Sequence, residues 1–226
     1  MSFRRLLSSW LCALLLVPTA FSRPPGAAPD ARSSSSRPPS VATEKSPEPG
    51  TVVAGLYRNT FFSFSYKVPV GWVDRTRDMG ELGGPVTAAH AGIKEPRVQE
   101  KSLVLLSIFE RPPEARGETP NSSVVIAAES ESVYPGLKNA AQYFGPLDEV
   151  ATKNGFERLG EPYDFPVHAQ PLVRSDYSKE LGTTAIHQST LVLLRRGYAV
   201  SFTFIGESDD EVTQLIAGLA FRQLAR

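Results

Sequence analysis

With 226 residues, 41% of them hydrophobic and 21% charged, the chain has a globular composition and room for one or at most two domains. Its 24 basic and 24 acidic side chains balance, so no global field recruits nucleic acid or an anionic membrane surface, and nucleic-acid binding is excluded as an expectation. The one cysteine, Cys12, lies near the start.

Residues 1–22 carry Arg4 and Arg5, a largely apolar run from Leu6 to Val17, then Pro18 and small residues, with Ala20-Phe21-Ser22 as a small-x-small cleavage site before Arg23. This is the layout of a secretory signal peptide. The alternative is an uncleaved N-terminal segment that tethers the chain to a membrane, but the run is short for a bilayer span. A lipid anchor fits poorly, because Cys12 follows Trp10 and Leu11 where a lipidated cysteine follows small residues. Phe3 stands where a twin-arginine signal carries Ser or Thr, so ordinary unfolded export is expected. Cleavage removes Arg4, Arg5 and no acid, which leaves a net charge of about −2. It also removes the thiol, so disulfides, thiol catalysis and cysteine metal sites are excluded from the mature chain. The expected location is periplasmic or secreted, with no membrane span after cleavage.

Residues 23–50 are rich in proline and serine and nearly free of large apolar side chains, from Arg23-Pro-Pro to Lys45-Ser-Pro-Glu-Pro-Gly50. Such a stretch cannot bury enough surface to offset chain ordering and reads as a disordered linker, with a proline-rich docking motif as the alternative. The folded domain is expected over 51–226. All aromatic residues except Phe3, Trp10 and Phe21 fall there.

The stretch Asn59–Trp72 predicts the first strand of that domain. Phe62, Phe64, Tyr66 and Val68 alternate with Ser63, Ser65 and Lys67, Pro69 ends the ladder, and Trp72 anchors the turn through Gly71. A long polar segment, 73–101, follows and is the first candidate for a working surface. Leu103–Phe109 and Ser123–Glu129 are apolar at nearly every position, as strands covered on both faces are. If they pair antiparallel, the loops at 73–101 and 110–122 leave from opposite ends of the sheet. Leu137, Ala140, Ala141, Phe144, Leu147 and Ala151 predict a helix over 137–153 with a break at Gly145-Pro146 and a cap at Asn154-Gly155. Three strands in meander order are expected next, through Leu172–Tyr177, Ala185–Leu194 and Tyr198–Ile205, with Arg195-Arg196-Gly197 as the last turn. Ser208 to Glu211 is a capping box, and Val212, Leu215, Ile216 and Leu219 predict one face of a closing helix. The sum is an α+β fold, an antiparallel β-sheet with helices packed on its faces.

This order of elements resembles the PsbP-like superfamily. The residues that carry the resemblance are the strand ending Pro69 to Trp72, the two buried strands, the helix, the meander strand Gly197-Tyr-Ala-Val-Ser-Phe-Thr-Phe204 and the acid-capped helix running into Leu219-Ala-Phe221. That superfamily includes the extrinsic oxygen-evolving subunit of photosystem II, a Ran-binding nuclear import factor and exported bacterial proteins of unknown function. The resemblance spans residues 55–224. It implies an αβα sandwich and non-enzymatic binding, assembly or accessory work. No cation-ligand or Ran-binding motif carries over residue by residue.

Chemistry-bearing motifs are sparse. His90, His168 and His187 show no metal-ligand spacing, and the chain has no Gly-x-Ser-x-Gly elbow, phosphate loop or dinucleotide turn. Asp74, Asp78 and Glu81 share a short helix face with Arg75 and Arg77 interleaved, which reads as a charge-balanced turn with a calcium-like site as the sharper alternative. Asn121-Ser-Ser123 is a glycosylation sequon. No catalytic, cofactor or metal residue is assigned, and no cofactor is expected. The expected function is an exported, non-catalytic binding or assembly domain whose partner is a protein or small molecule of the cell envelope. The alternative is a hydrolase or other enzyme using an acid/His constellation near 73–101. A deep pocket where His90 or His168 meets a buried carboxylate favours the enzyme; a shallow apolar patch beside 73–101 favours the binding domain.

Overall fold

The computed structural model describes residues 47–81, 102–115, 117 and 119–222. The expected signal peptide, most of the expected linker, His90 and the 82–101 part of the long segment lie outside the described residues. In chain order come β1 (Thr51–Val53), β2 (Leu56–Asn59), β3 (Phe64–Lys67), β4 (Val73–Asp74), α1 (Thr76–Glu81), β5 (Ser102–Phe109) and β6 (Ser123–Ser130). Then follow α2 (Phe144–Lys153), β7 (Glu157–Val167), β8 (Gln170–Leu181), β9 (Thr184–Arg195), β10 (Tyr198–Gly206), α3 (Asp209–Ala217) and β11 (Leu219–Phe221).

The strands form two antiparallel sheets. A small one runs β1-β2-β3-β11, and a large one runs β4-β5-β6-β10-β9-β8-β7. Helices pack against the sheets, and the fold is α+β.

The expected alternation at the start holds: Phe62, Phe64 and Tyr66 are buried while Ser63 and Ser65 are half-buried. The strand itself is shorter than expected, because residues 60–63 form a turn in which Ser63 adopts φ 59°. It is also not the first, since the β1–β2 hairpin precedes it. β5 and β6 pair antiparallel as expected, but β5 has only the two-residue β4 outside it and so is next to the edge. The meander has four strands, because β7 joins β8, β9 and β10. The helix expected over 137–153 divides at its middle: Ala140–Tyr143 is a 3-10 turn and α2 begins at Phe144. Gly145-Pro146 therefore sits in the first turn, where a missing N–H costs nothing, and is no break. Asn154 and Gly155, at φ 80°, end α2 as expected.

The main core fills the space between the small sheet, α3 and one face of the large sheet. Even residues of β6 and β10 (Val124, Ile126, Ala128; Val200, Phe202, Phe204) point into it and meet Phe64 and Tyr66. Phe64 and Phe202 sit edge to face with centroids 5.0 Å apart, and the Tyr66 hydroxyl donates to the Leu215 carbonyl at 3.1 Å. α3 starts as the capping box requires, with the Ser208 side chain accepting from the Glu211 N–H, and buries Val212, Leu215 and Ile216. Leu219 was expected on this helix. It is buried, but in β11, because the chain leaves α3 at Gly218 and pairs Leu219 with Tyr66. With one face of the large sheet filled this way, its other face is where odd residues of β6 and β10 emerge.

Candidate functional site: a cavity under α2

On that second face α2 lies across the sheet and is fixed at both ends. At its start Tyr143 and Phe144 pack on Val192 and Ala199. Near its end Ala151 and Phe156 pack on Tyr177, and Lys179 Nζ donates to the Asn154 carbonyl at 2.8 Å. Between them Asp148 accepts from the Tyr177 hydroxyl and from Arg158, both at 2.8 Å. A helix held this way bridges the sheet surface instead of sinking onto it. Beneath it remains a cavity of about 250 Å³.

The cavity has an apolar roof and a polar floor. Leu147, Val150 and Ala151 of α2, with Phe156 after it, make the roof. The floor is one face of three strands: Ser123, Val125 and Ala127 on β6, Ser201 and Thr203 on β10, Gln188 and Thr190 on β9. Thr190 and Thr203 share a hydrogen bond at 3.2 Å, and Gln188 Nε2 donates to Thr190 Oγ1 at 3.3 Å. The small hydroxyl side chains among these leave the space open, where the opposite face of the same strands is filled by Phe202 and Phe204.

Glu129 lines the same cavity at the end of β6 and is 3% exposed. Its carboxylate accepts the Tyr134 hydroxyl through Oε2, and Ser102 Oγ lies 3.4 Å from Oε1. Among the described residues no basic side chain pairs with it. Burial, reinforced by the nearby Glu129 charge, raises the Tyr134 phenol and raises that of Tyr143 still more clearly, so both remain hydroxyl donors. Lys179 is the other charged lining residue; its ammonium donates to the Asn154 carbonyl and lies 5.7 Å over the Phe156 ring.

Leu147, Ala151 and Asn154, read in the sequence as helix and cap positions, line this cavity, as does Ser123 of the sequon; none of the described residues weighed for chemistry does. His168 is exposed in the β7–β8 turn at φ 56°. His187 lies on β9, as expected, with Nδ1 2.8 Å from Asp209 at the start of α3. Neither meets a carboxylate inside the cavity. Arg75, in the acidic stretch after Trp72, bonds Asp78 at 3.1 Å and Glu114 at 2.5 Å. Asn121 is engaged with the Arg111 backbone on both sides of its amide, at 3.1 and 2.8 Å. The described part of the 73–101 segment, β4 and α1, contributes no lining residue. One signal for the cavity was present in the sequence: a glutamate closing an otherwise buried run, Ser123–Glu129.

No protein-family model matches the chain, and no curated protein matches it. Among solved structures it is similar to LpqN of Mycobacterium tuberculosis, involved in cell envelope biogenesis, with 15% identity over 76% of this chain and 80% of that one at a TM-score of 0.36. It is similar to the Ran-binding protein Mog1p of Saccharomyces cerevisiae, with 12% identity over 70% and 90% at 0.37. PA94 of Pseudomonas aeruginosa, a protein of unknown function, shares 20% identity over 49% and 80% at 0.33. At such identities and scores these likenesses carry no argument, and the α+β fold rests on the strand order itself. Among the described residues no helix is long and apolar enough to cross a membrane.

Proposed function

We infer that the chain is an exported, non-catalytic binding domain of the cell envelope, PsbP-like in layout, and that its ligand site is the cavity under α2. The observation that carries this reading is the cavity itself: a helix braced at both ends over a sheet face of serines and threonines, with a buried carboxylate at one end. A face of this kind that served stability alone would be packed with large apolar side chains, as the opposite face is. The signal-peptide layout of residues 1–22 and the tether-like 23–50 support export, and the order of elements supports the PsbP-like assignment. The hydrolase alternative gains nothing from this site, since its described lining contains no histidine.

Native mass spectrometry of the full-length gene product, isolated from its own host's envelope and extracellular fractions, tests both parts. The expected result is a chain shortened by residues 1–22 that carries a small-molecule adduct, with the adduct lost in a Val150→Trp variant that fills the cavity. An unprocessed chain found only in the cytoplasm refutes export. A processed chain without an adduct, and indifferent to Val150→Trp in its melting behaviour on addition of envelope extract, refutes the ligand site.

A further inference from the structure

The chemistry of the cavity specifies a class of ligand, an inference that rests on reading the cavity as a ligand site. Its size comes first. A dry cavity of about 150 Å³ holds a benzene, so about 250 Å³ holds roughly ten heavy atoms on the same scale. Its shape follows from the strand that lines it. Ser123, Val125, Ala127 and Glu129 all border the space, and six residues of strand span roughly 20 Å. A space of that length accepts an extended chain.

Polarity along that length is unequal. At the Ser123 end Phe109 and Ile205 wall the space, with Gln188 beside Ile205. In the middle the hydroxyls of Thr190 and Thr203 satisfy each other, so they tolerate a hydrocarbon chain without being stranded. At the far end the Glu129 carboxylate is met, among the described residues, only by hydroxyls: those of Tyr134 and Tyr143, and that of Ser102 at 3.4 Å. A buried carboxylate without a cation is costly, and a ligand cation that reaches it recovers attraction in a low-dielectric site. Lys179 keeps its charge while bonded to Asn154, but it is only half-buried, so the charge that burial closes off from water is that of Glu129.

We propose that the cavity binds a short unbranched primary amine, its ammonium on the Glu129 carboxylate and its hydrocarbon chain extended under α2. Octylamine, close to the size the cavity allows, is the probe. Octanol, octanoate and 1,8-diaminooctane are its controls.

Isothermal titration of the full chain at pH 7 should give one site for octylamine, about tenfold or more tighter than octanol, consistent with a hydrogen bond to a charged group. Octanoate should bind more weakly than octylamine because Glu129 repels its carboxylate, and 1,8-diaminooctane should bind more weakly because its second ammonium is left about half-way along the space, beside Val125. Glu129→Gln keeps the side-chain shape and should bring octylamine down to the level of octanol. The ranking of the four probes on the wild-type chain stands even if that variant fails to fold. Equal binding of octylamine and octanol, both lost in Val150→Trp, overturns the amine assignment and leaves the cavity as a ligand site. Octanoate binding as tightly as octylamine overturns it also. No binding by any probe overturns the amine assignment, while an adduct in the native mass spectrum would still uphold the cavity.

Discussion

Two neighbouring residues on β10 test which face of the large sheet is structural. Phe202 is fully buried, edge to face with Phe64 at 5.0 Å and with Phe221 at 5.8 Å. Replacing a buried phenylalanine by alanine costs about 3–5 kcal/mol through lost transfer energy and the hole left behind. Each edge-to-face pair adds roughly 0.5–1.5 kcal/mol, though not additively. Phe202→Ala should therefore fall at the upper end, about 4–5 kcal/mol. Ser201 is 7% exposed and borders the cavity. Ser201→Ala only enlarges space that already exists, so its cost should stay below about 1 kcal/mol. Urea unfolding followed by tryptophan fluorescence and far-UV circular dichroism measures both, with an unchanged m-value expected for each. If the two losses are alike, or if Phe202→Ala costs less than about 2 kcal/mol, the assignment of the two faces is wrong.

Ser208→Ala removes the side chain that accepts from the Glu211 N–H at 3.2 Å, and should cost about 1 kcal/mol in the same assay. An unchanged urea midpoint would show that α3 does not depend on this cap. Arg195 reaches from β9 to donate to the Phe62 carbonyl at 2.7 Å, tying the turn before β3 to the large sheet. Arg195→Met should lose about 2 kcal/mol; stability within error of wild type would show that the link is idle. Tyr143 offers a pH test. Burial raises its phenol well above the ordinary value, so above about pH 10 the unfolded chain releases this proton while the folded chain keeps it, and stability falls as pH rises. Tyr143→Phe should make that alkaline decline shallower by about 1.4 kcal/mol per pH unit. Parallel declines for the two proteins would contradict the raised phenol.

What the sequence made legible is what one-sided burial imposes. Phe62, Phe64 and Tyr66, and later Val200, Phe202 and Phe204, alternate because one face of each ribbon must be dry, and period two survives any detail of pairing. β7 lacked that imprint. It is exposed over most of its length and carries Gly160, Pro162 and Pro166, as a sheet edge permits and a central strand does not. β1 and β2 lack that imprint because they are only three and four residues long, and β1 is exposed throughout. β11 was taken as the end of a helix because three residues cannot show a period, and only its partner β3 decides their state. The hydroxyl-bearing odd face of β10 was visible as an alternation, yet nothing local says that α2 spans it or that Glu129 closes one end. Those are facts of tertiary placement.

The pairing of β11 with β3 has a kinetic side. The Tyr66 hydroxyl and the Leu215 carbonyl that join there stand 149 residues apart in the chain. A contact of such separation forms late, after the entropy of a very long loop has been overcome, and folds dominated by such contacts are slow. A chain emerging N-terminus first thus presents Phe62, Phe64 and Tyr66 on an unpaired strand edge until its last residues are free. During that interval the aromatic hairpin is open to association with other chains. Refolding yield should therefore fall with protein concentration, and a chain ending before Leu219 should aggregate where the full chain folds.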